Sequence, residues 1–68
     1  MSVFEYCVER VVVETLGPVP HGFVNGTLFV TCPVAQAVAL ETALLDSPDV
    51  GAGIILSRVG NESAYDFV

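Results

Sequence analysis

Sixty-eight residues provide for one small domain and leave no length for a second. The chain is 53% hydrophobic and 15% charged, whereas globular chains average about 45–50% and about 25%. Eight acidic residues stand against only Arg10 and Arg58, with no lysine, giving a net charge of −6. That balance argues against a nucleic-acid partner, whose backbone is held by clustered Lys and Arg, and against docking on an anionic membrane.

A domain of this size buries only about 60% of its unfolded surface. Below roughly 70–80 residues a disulfide, a metal or oligomerisation usually supplements the core. A small monomer has the most surface per residue and should carry more charge, so the deficit implies apolar surface covered by another chain. The acids Glu5, Glu9, Glu14, Asp46, Asp49, Glu62 and Asp66 are dispersed along the sequence and serve to keep a greasy chain soluble. The first residues carry no positive charge, and Glu5 and Glu9 interrupt the apolar stretch, so no secretory leader is visible. No apolar run reaches the roughly 20 residues of a membrane span. The expected setting is cytoplasmic, with Cys7 and Cys32 as free thiols.

Val3 to Leu16 is rich in β-branched and aromatic residues and reads as a strand, with Phe4, Tyr6 and Val8 on one side. Its alternation breaks at Val11-Val12-Val13. Fourteen extended residues would span roughly 46 Å, against roughly 28 Å for a globule of this length. The expected strand therefore bends at a bulge near Arg10–Val12 or pairs with a neighbouring subunit. Gly17 to Gly22 is a loop carrying Pro18 and Pro20. Asn25-Gly26 between Phe23-Val24 and Thr27–Cys32 signals a tight hairpin.

Residues 33–46 read as a helix, with Pro33 at its first position and Pro48 enforcing its end. At about 100° per residue, Val34, Ala37, Val38, Leu40, Leu44 and Leu45 share an arc expected to face the sheet. Ile54–Val59 reads as a strand, Gly60 to Ser63 as a turn, and Ala64–Val68 as a closing strand. No internal repeat is evident. The expected fold is α+β: one helix, about 33–46, across a small antiparallel sheet of four to five strands, in the order ββ(β)αββ.

Few residues suggest chemistry. Glu41 falls inside the apolar arc of the helix, where an unpaired carboxylate is costly. Arg10 and Arg58 are the available cations, so a Glu41–Arg pair, within or between chains, is the leading expectation. Otherwise Glu41 escapes to solvent between a Leu40/Leu44 core and a Val34/Val38/Leu45 core. The opposite side, with Ala35, Ala39 and Ala43, is smooth enough for close helix approach. Cys32 precedes a helix N-terminus, a setting that favours thiolate, with His21 a conceivable base. There is no CxxC arrangement and no orienting acid, so a small buried thiol is the simpler reading.

A single His and widely separated cysteines give no metal-ligand spacing, and Gly51-Ala52-Gly53 lacks the following Lys-Ser/Thr of a phosphate loop. Asn25-Gly26-Thr27 and Asn61-Glu62-Ser63 match the glycosylation pattern but sit in turn-forming segments of a chain without a leader. Neither catalytic residues nor a cofactor are expected. The expected function is that of a small non-enzymatic homo-oligomeric or assembly protein, such as an accessory or viral structural component. The alternative is an acidic inhibitor or DNA mimic that binds a basic protein; a Cys32-dependent thiol enzyme is the third.

Overall fold

The computed structural model describes residues 2–68. Six elements follow in order: helix α1 (Val3–Leu16), strands β1 (His21–Val24) and β2 (Thr27–Thr31), helix α2 (Val34–Asp46), and strands β3 (Ile54–Val59) and β4 (Glu62–Phe67). The fold is α+β, with a four-stranded antiparallel sheet ordered β1-β2-β4-β3. It has two helices where one was expected, and the order is αββαββ instead of ββ(β)αββ.

The difference lies in Val3–Leu16, a helix and not a strand. The Ser2 hydroxyl accepts from the Glu5 N–H at 3.1 Å and caps its start. Phe4, Val8, Val11 and Val12 recur at helical spacing; Val8 and Val12 are fully buried, and Phe4, Val11 and Leu16 pack around them. Valine costs a helix only about 0.5 kcal/mol per residue, whereas burying one valine side chain returns at least about 1.5 kcal/mol. Burial therefore overrides propensity. Fourteen helical residues are also only about 21 Å long, inside the 29 Å longest extent of the molecule.

Both hairpins close through two residues. Asn25 (φ 51°) and Gly26 (φ 82°) adopt the left-handed conformations of a type I′ turn. Gly60 and Asn61 connect Val59 to Glu62, so β4 begins two residues earlier than the sequence suggested. Helix α2 starts after Pro33, which is its N-cap and not its first turn. It buries Ala37, Leu40 and Leu44, but leaves Val34, Val38 and Leu45 exposed, so only half of the expected arc meets the sheet.

Both helices lie on one face of the sheet. Phe4 of α1 meets Phe67 edge to face at 5.1 Å between centroids. The Tyr65 hydroxyl, two residues along the same side of β4, donates to the Ala37 carbonyl of α2 at 2.8 Å. The core between the layers holds Val8, Val12, Leu28, Val30, Leu40, Leu44 and Tyr65.

The architecture is a repeat that the sequence did not announce. An αββ unit occurs twice, and the strand order is symmetric about its centre. His21 pairs with Val30; Leu56, 35 places after His21, pairs with Tyr65, 35 places after Val30. The same shift carries Phe29 onto Ala64, and these two residues pair with each other across the centre of the sheet. A local two-fold axis therefore runs between them, normal to the sheet. In the helices the shift is 32 places: Tyr6-Cys7-Val8-Glu9 overlies Val38-Ala39-Leu40-Glu41, and Val11-Val12-Val13-Glu14-Thr15 overlies Ala43-Leu44-Leu45-Asp46-Ser47. The three-residue difference is absorbed by the longer α2–β3 connection.

Candidate interaction surface

The helices cover one face of the sheet, and no described element covers the other. Strand alternation assigns its residues. One row runs Val24, Thr27, Asp66, Ile55; the central row runs Gly22, Phe29, Ala64, Ser57; the third runs Thr31, Glu62, Val59, with Pro20 completing it through its carbonyl bond to the Thr31 N–H. Val24, Ile55 and Val59 are 58%, 54% and 84% exposed. Their β-branched shapes suit a strand, but nothing on their own layer buries them. Phe29 stands half-buried at the middle.

Beside Phe29 the surface is concave. An open groove of about 480 Å³ is lined by Pro20, Gly22, Val24, Phe29, Thr31 and Glu62, and wraps the β1 edge past His21 and Phe23. Gly22 forms its floor: it pairs with Phe29, and a Cβ added there would meet nothing within 4 Å. At the opposite edge of the sheet, Ser57 of β3 stands between exposed Ile55 and Val59, as Gly22 stands between Pro20 and exposed Val24.

Its polar groups sit in the middle strands. The Thr27 hydroxyl donates to Asp66 Oδ1 at 2.6 Å, across the β2–β4 boundary. Thr31 pairs with Glu62 in the equivalent row. Neither Lys nor Arg lies on this face, so its charge comes from two carboxylates flanked by threonines.

The residues singled out in the sequence lie elsewhere and apart. Arg10 is on the exposed side of α1, bonded to Glu14 at 3.3 Å, one turn away. Arg58 points into the helix-side layer. Its Nη1 donates to the Cys32 carbonyl at 2.9 Å and to Ser63 Oγ at 2.6 Å, and its Nη2 donates to the Gly60 carbonyl at 2.9 Å. The Cys32 N–H donates in turn to the Asn61 carbonyl at 2.9 Å, so the β3–β4 turn is tied to the corner between β2 and α2.

Glu41 is half-buried, and neither arginine of its own chain forms an ion pair with it. It sits where buried Leu40 and Leu44 give way to exposed Val38 and Leu45, with a core on one side only. Cys32 and Cys7 are free thiols, Cys32 buried and Cys7 half-buried. The His21 imidazole is committed through Nδ1 to the Val19 carbonyl at 2.7 Å, and no hydrogen bond joins it to Cys32. Among the described residues no three His, Cys, Asp or Glu side chains converge as metal ligands, and no helix is long and apolar enough to cross a membrane.

Sequence reasoning missed the Phe29 face because it sought chemistry in charged and nucleophilic residues. The signal was present in Thr27-Leu28-Phe29-Val30-Thr31 and in Ile54–Val59, where both parities carry large apolar residues. A strand apolar on both sides needs cover on both sides, and this chain supplies one helical layer. No family model matches the chain, and neither does any curated protein or solved structure.

Proposed function

We propose that this protein is a non-enzymatic assembly component that associates with copies of itself, and that the uncovered face of its sheet is the contact surface. One observation carries the reading: the centre of that face is Phe29, with exposed Val24 on the adjoining strand and exposed Ile55 and Val59 on the far edge strand, and no described element lies over it. The total accessible surface is 3971 Å², close to the roughly 4,100 Å² expected of a compact monomer of 7.2 kDa. Part of the apolar excess of the composition therefore lies on an ordinary-sized surface, Val24, Ile55 and Val59 of the open face included.

The acidic-inhibitor reading has less support. Glu5, Glu9, Glu14, Glu41 and Asp46 belong to the helical layer, Glu62 and Asp66 to the open face, and Asp49 to a loop. They do not form one acidic surface. The thiol-enzyme reading also has less support: the His21 imidazole is oriented by the Val19 carbonyl, and no hydrogen bond joins it to Cys32.

Sedimentation equilibrium of the full chain over 10–500 μM tests the proposal. The mass should rise with concentration, and Gly22→Glu, which fills the groove without touching the fold, should hold the chain monomeric. A wild-type chain that stays monomeric throughout, or a Gly22→Glu variant that associates as well as wild type, overturns it.

A further inference from the structure

We infer that the β3 edge of the sheet takes an extended, basic segment of a different protein as a fifth strand, beneath the outer flank of α2. The inference is independent of self-association through the open face.

Strand β3 ends the sheet, and its register with β4 is unbroken from Ile54 to Val59. Gly53 and Val68 exchange both backbone bonds in the same register. Bonded pairs recur at every second residue of an antiparallel ladder, so Ile55, Ser57 and Val59 bond inward to β4. The N–H and C=O of Ile54, Leu56 and Arg58 therefore point outward, and no turn or loop backbone of the described residues bonds them.

Natural sheets block such edges with proline, lysine, a bulge or short length. Strand β1 is blocked: it has four residues, follows Pro18 and Pro20, and turns out only His21 and Phe23. Strand β3 has six residues and none of these devices.

A shelf overhangs the open edge. Cys7 and Val11 of α1 line one notch with Ser47, which continues the Ala39–Ala43 row of α2 at i, i+4 spacing. That row faces α1. Val34, Val38, Glu41 and Leu45 form the row on the opposite flank of the helix. Helix α2 packs on β3 and accepts the Tyr65 bond from β4, so its outer row is directed past the β3 edge. There Val34, Val38 and Leu45 are 60%, 51% and 55% exposed. A strand added to β3 lies under them, and its alternate side chains meet apolar groups.

Charge identifies the source of the strand. Glu41 stands in the shelf without an ion pair, and Asp66 and Glu62 neighbour Ile55 and Val59 on the other side of the sheet. The chain has no lysine, and Arg10 and Arg58 are held by Glu14 and by Cys32, Ser63 and Gly60. A second copy therefore brings no free side-chain cation to this edge, whereas a foreign strand bearing lysine or arginine complements the carboxylates. In strand addition of this kind main-chain bonds supply affinity and the flanking side chains supply selection.

Amide exchange and nitrogen–proton spectra of the full chain, titrated with a short capped peptide of alternating valine and lysine, test the inference. Its valines meet the shelf while its lysines reach toward Asp66 and Glu62. Exchange at Ile54, Leu56 and Arg58 should slow at least about tenfold at saturation, with a Kd of about 1 mM or tighter. The same peptide with glutamate in place of lysine should bind at least about tenfold more weakly at low salt. Val38→Lys, a change at an exposed position, should weaken binding of the lysine peptide at least about threefold. Unchanged exchange at Ile54, Leu56 and Arg58, equal binding of the glutamate peptide, wild-type affinity in Val38→Lys, or protection confined to His21 and Phe23 overturns the inference. Each of these results leaves association through the open face standing, since Gly22→Glu tests that separately.

Discussion

Arg58 is the residue whose removal should cost the fold most for its exposure. Its guanidinium joins the Cys32 carbonyl, the Ser63 hydroxyl and the Gly60 carbonyl, fastening the second hairpin to the entry of α2. Ser63 is fully buried. Replacing Arg58 with Met keeps the aliphatic stem but leaves Ser63 Oγ without its donor. A hydrogen bond from a charged group contributes about 1.5–3 kcal/mol, and an orphaned buried hydroxyl costs about 1–3 kcal/mol. The Gly60 bond is exposed and adds little, so the total is about 3 kcal/mol. A domain of this length holds only on the order of 3–10 kcal/mol in all.

Urea unfolding at fixed protein concentration measures the loss, and a double-mutant cycle with Ser63→Ala isolates the pair. Ser63→Ala should cost about 1 kcal/mol in the wild type and nothing in the Arg58→Met background, because there the orphan is removed. Arg58→Lys should recover less than half, since an ammonium cannot fork between three acceptors. An Arg58→Met variant within about 0.5 kcal/mol of wild type, or strictly additive effects, would refute the reasoning.

Three further outcomes follow from the same structure. The Tyr65 hydroxyl is pushed up to about 12, chiefly by burial and then by the nearby Cys32 thiol. The native state thus keeps a proton that the unfolded chain releases near pH 10. Stability should be intact below pH 10 and fall by on the order of 3 kcal/mol as pH rises toward 12; in unfolding curves against pH, Tyr65→Phe should lack this component. Ser2→Ala should cost about 1 kcal/mol in thermal melts through loss of the α1 cap, and Ser2→Asp should restore it; equal melting of all three would deny the cap a role. Cys32, buried behind the β3–β4 turn, should resist alkylation at neutral pH until denaturant opens the fold, while half-buried Cys7 reacts first. Mass mapping of labelled peptides checks the order.

The elements after Leu16 were legible and Val3–Leu16 was not, for a physical reason. Asn25-Gly26, Pro33, Pro48 and the Ile54–Val59 run are local signals, each acting through its own backbone preferences, and they marked their elements to within one or two residues. Val3–Leu16 carried two opposed signals. Its valines favour a strand, but Ser2 and Glu5 mark a helix start, and the length of the extended segment already implied that a strand would not fit. Tertiary burial of Val8 and Val12 decided it. The repeat stayed hidden because the halves match in burial pattern and hardly in identity: Val8 and Val12 fill the places of Leu40 and Leu44, and Gly22 that of Ser57. Glu41 drew notice for its apolar neighbours, yet Glu9 occupies the equivalent place in α1. A carboxylate at the border between a core side and an exposed side is a feature of both halves.

The central claim is that the Phe29 face is covered in the working protein. Recording amide nitrogen–proton spectra of the full chain during dilution tests it most directly, because each residue reports its own environment. Concentration-dependent shifts should concentrate in β2 and β4 around Phe29 and Ala64, extend to Gly22 and Ile55, and leave α1 and the exposed side of α2 unchanged. Shifts centred on Val34, Val38 and Leu45 of α2, or none across the series, would contradict it.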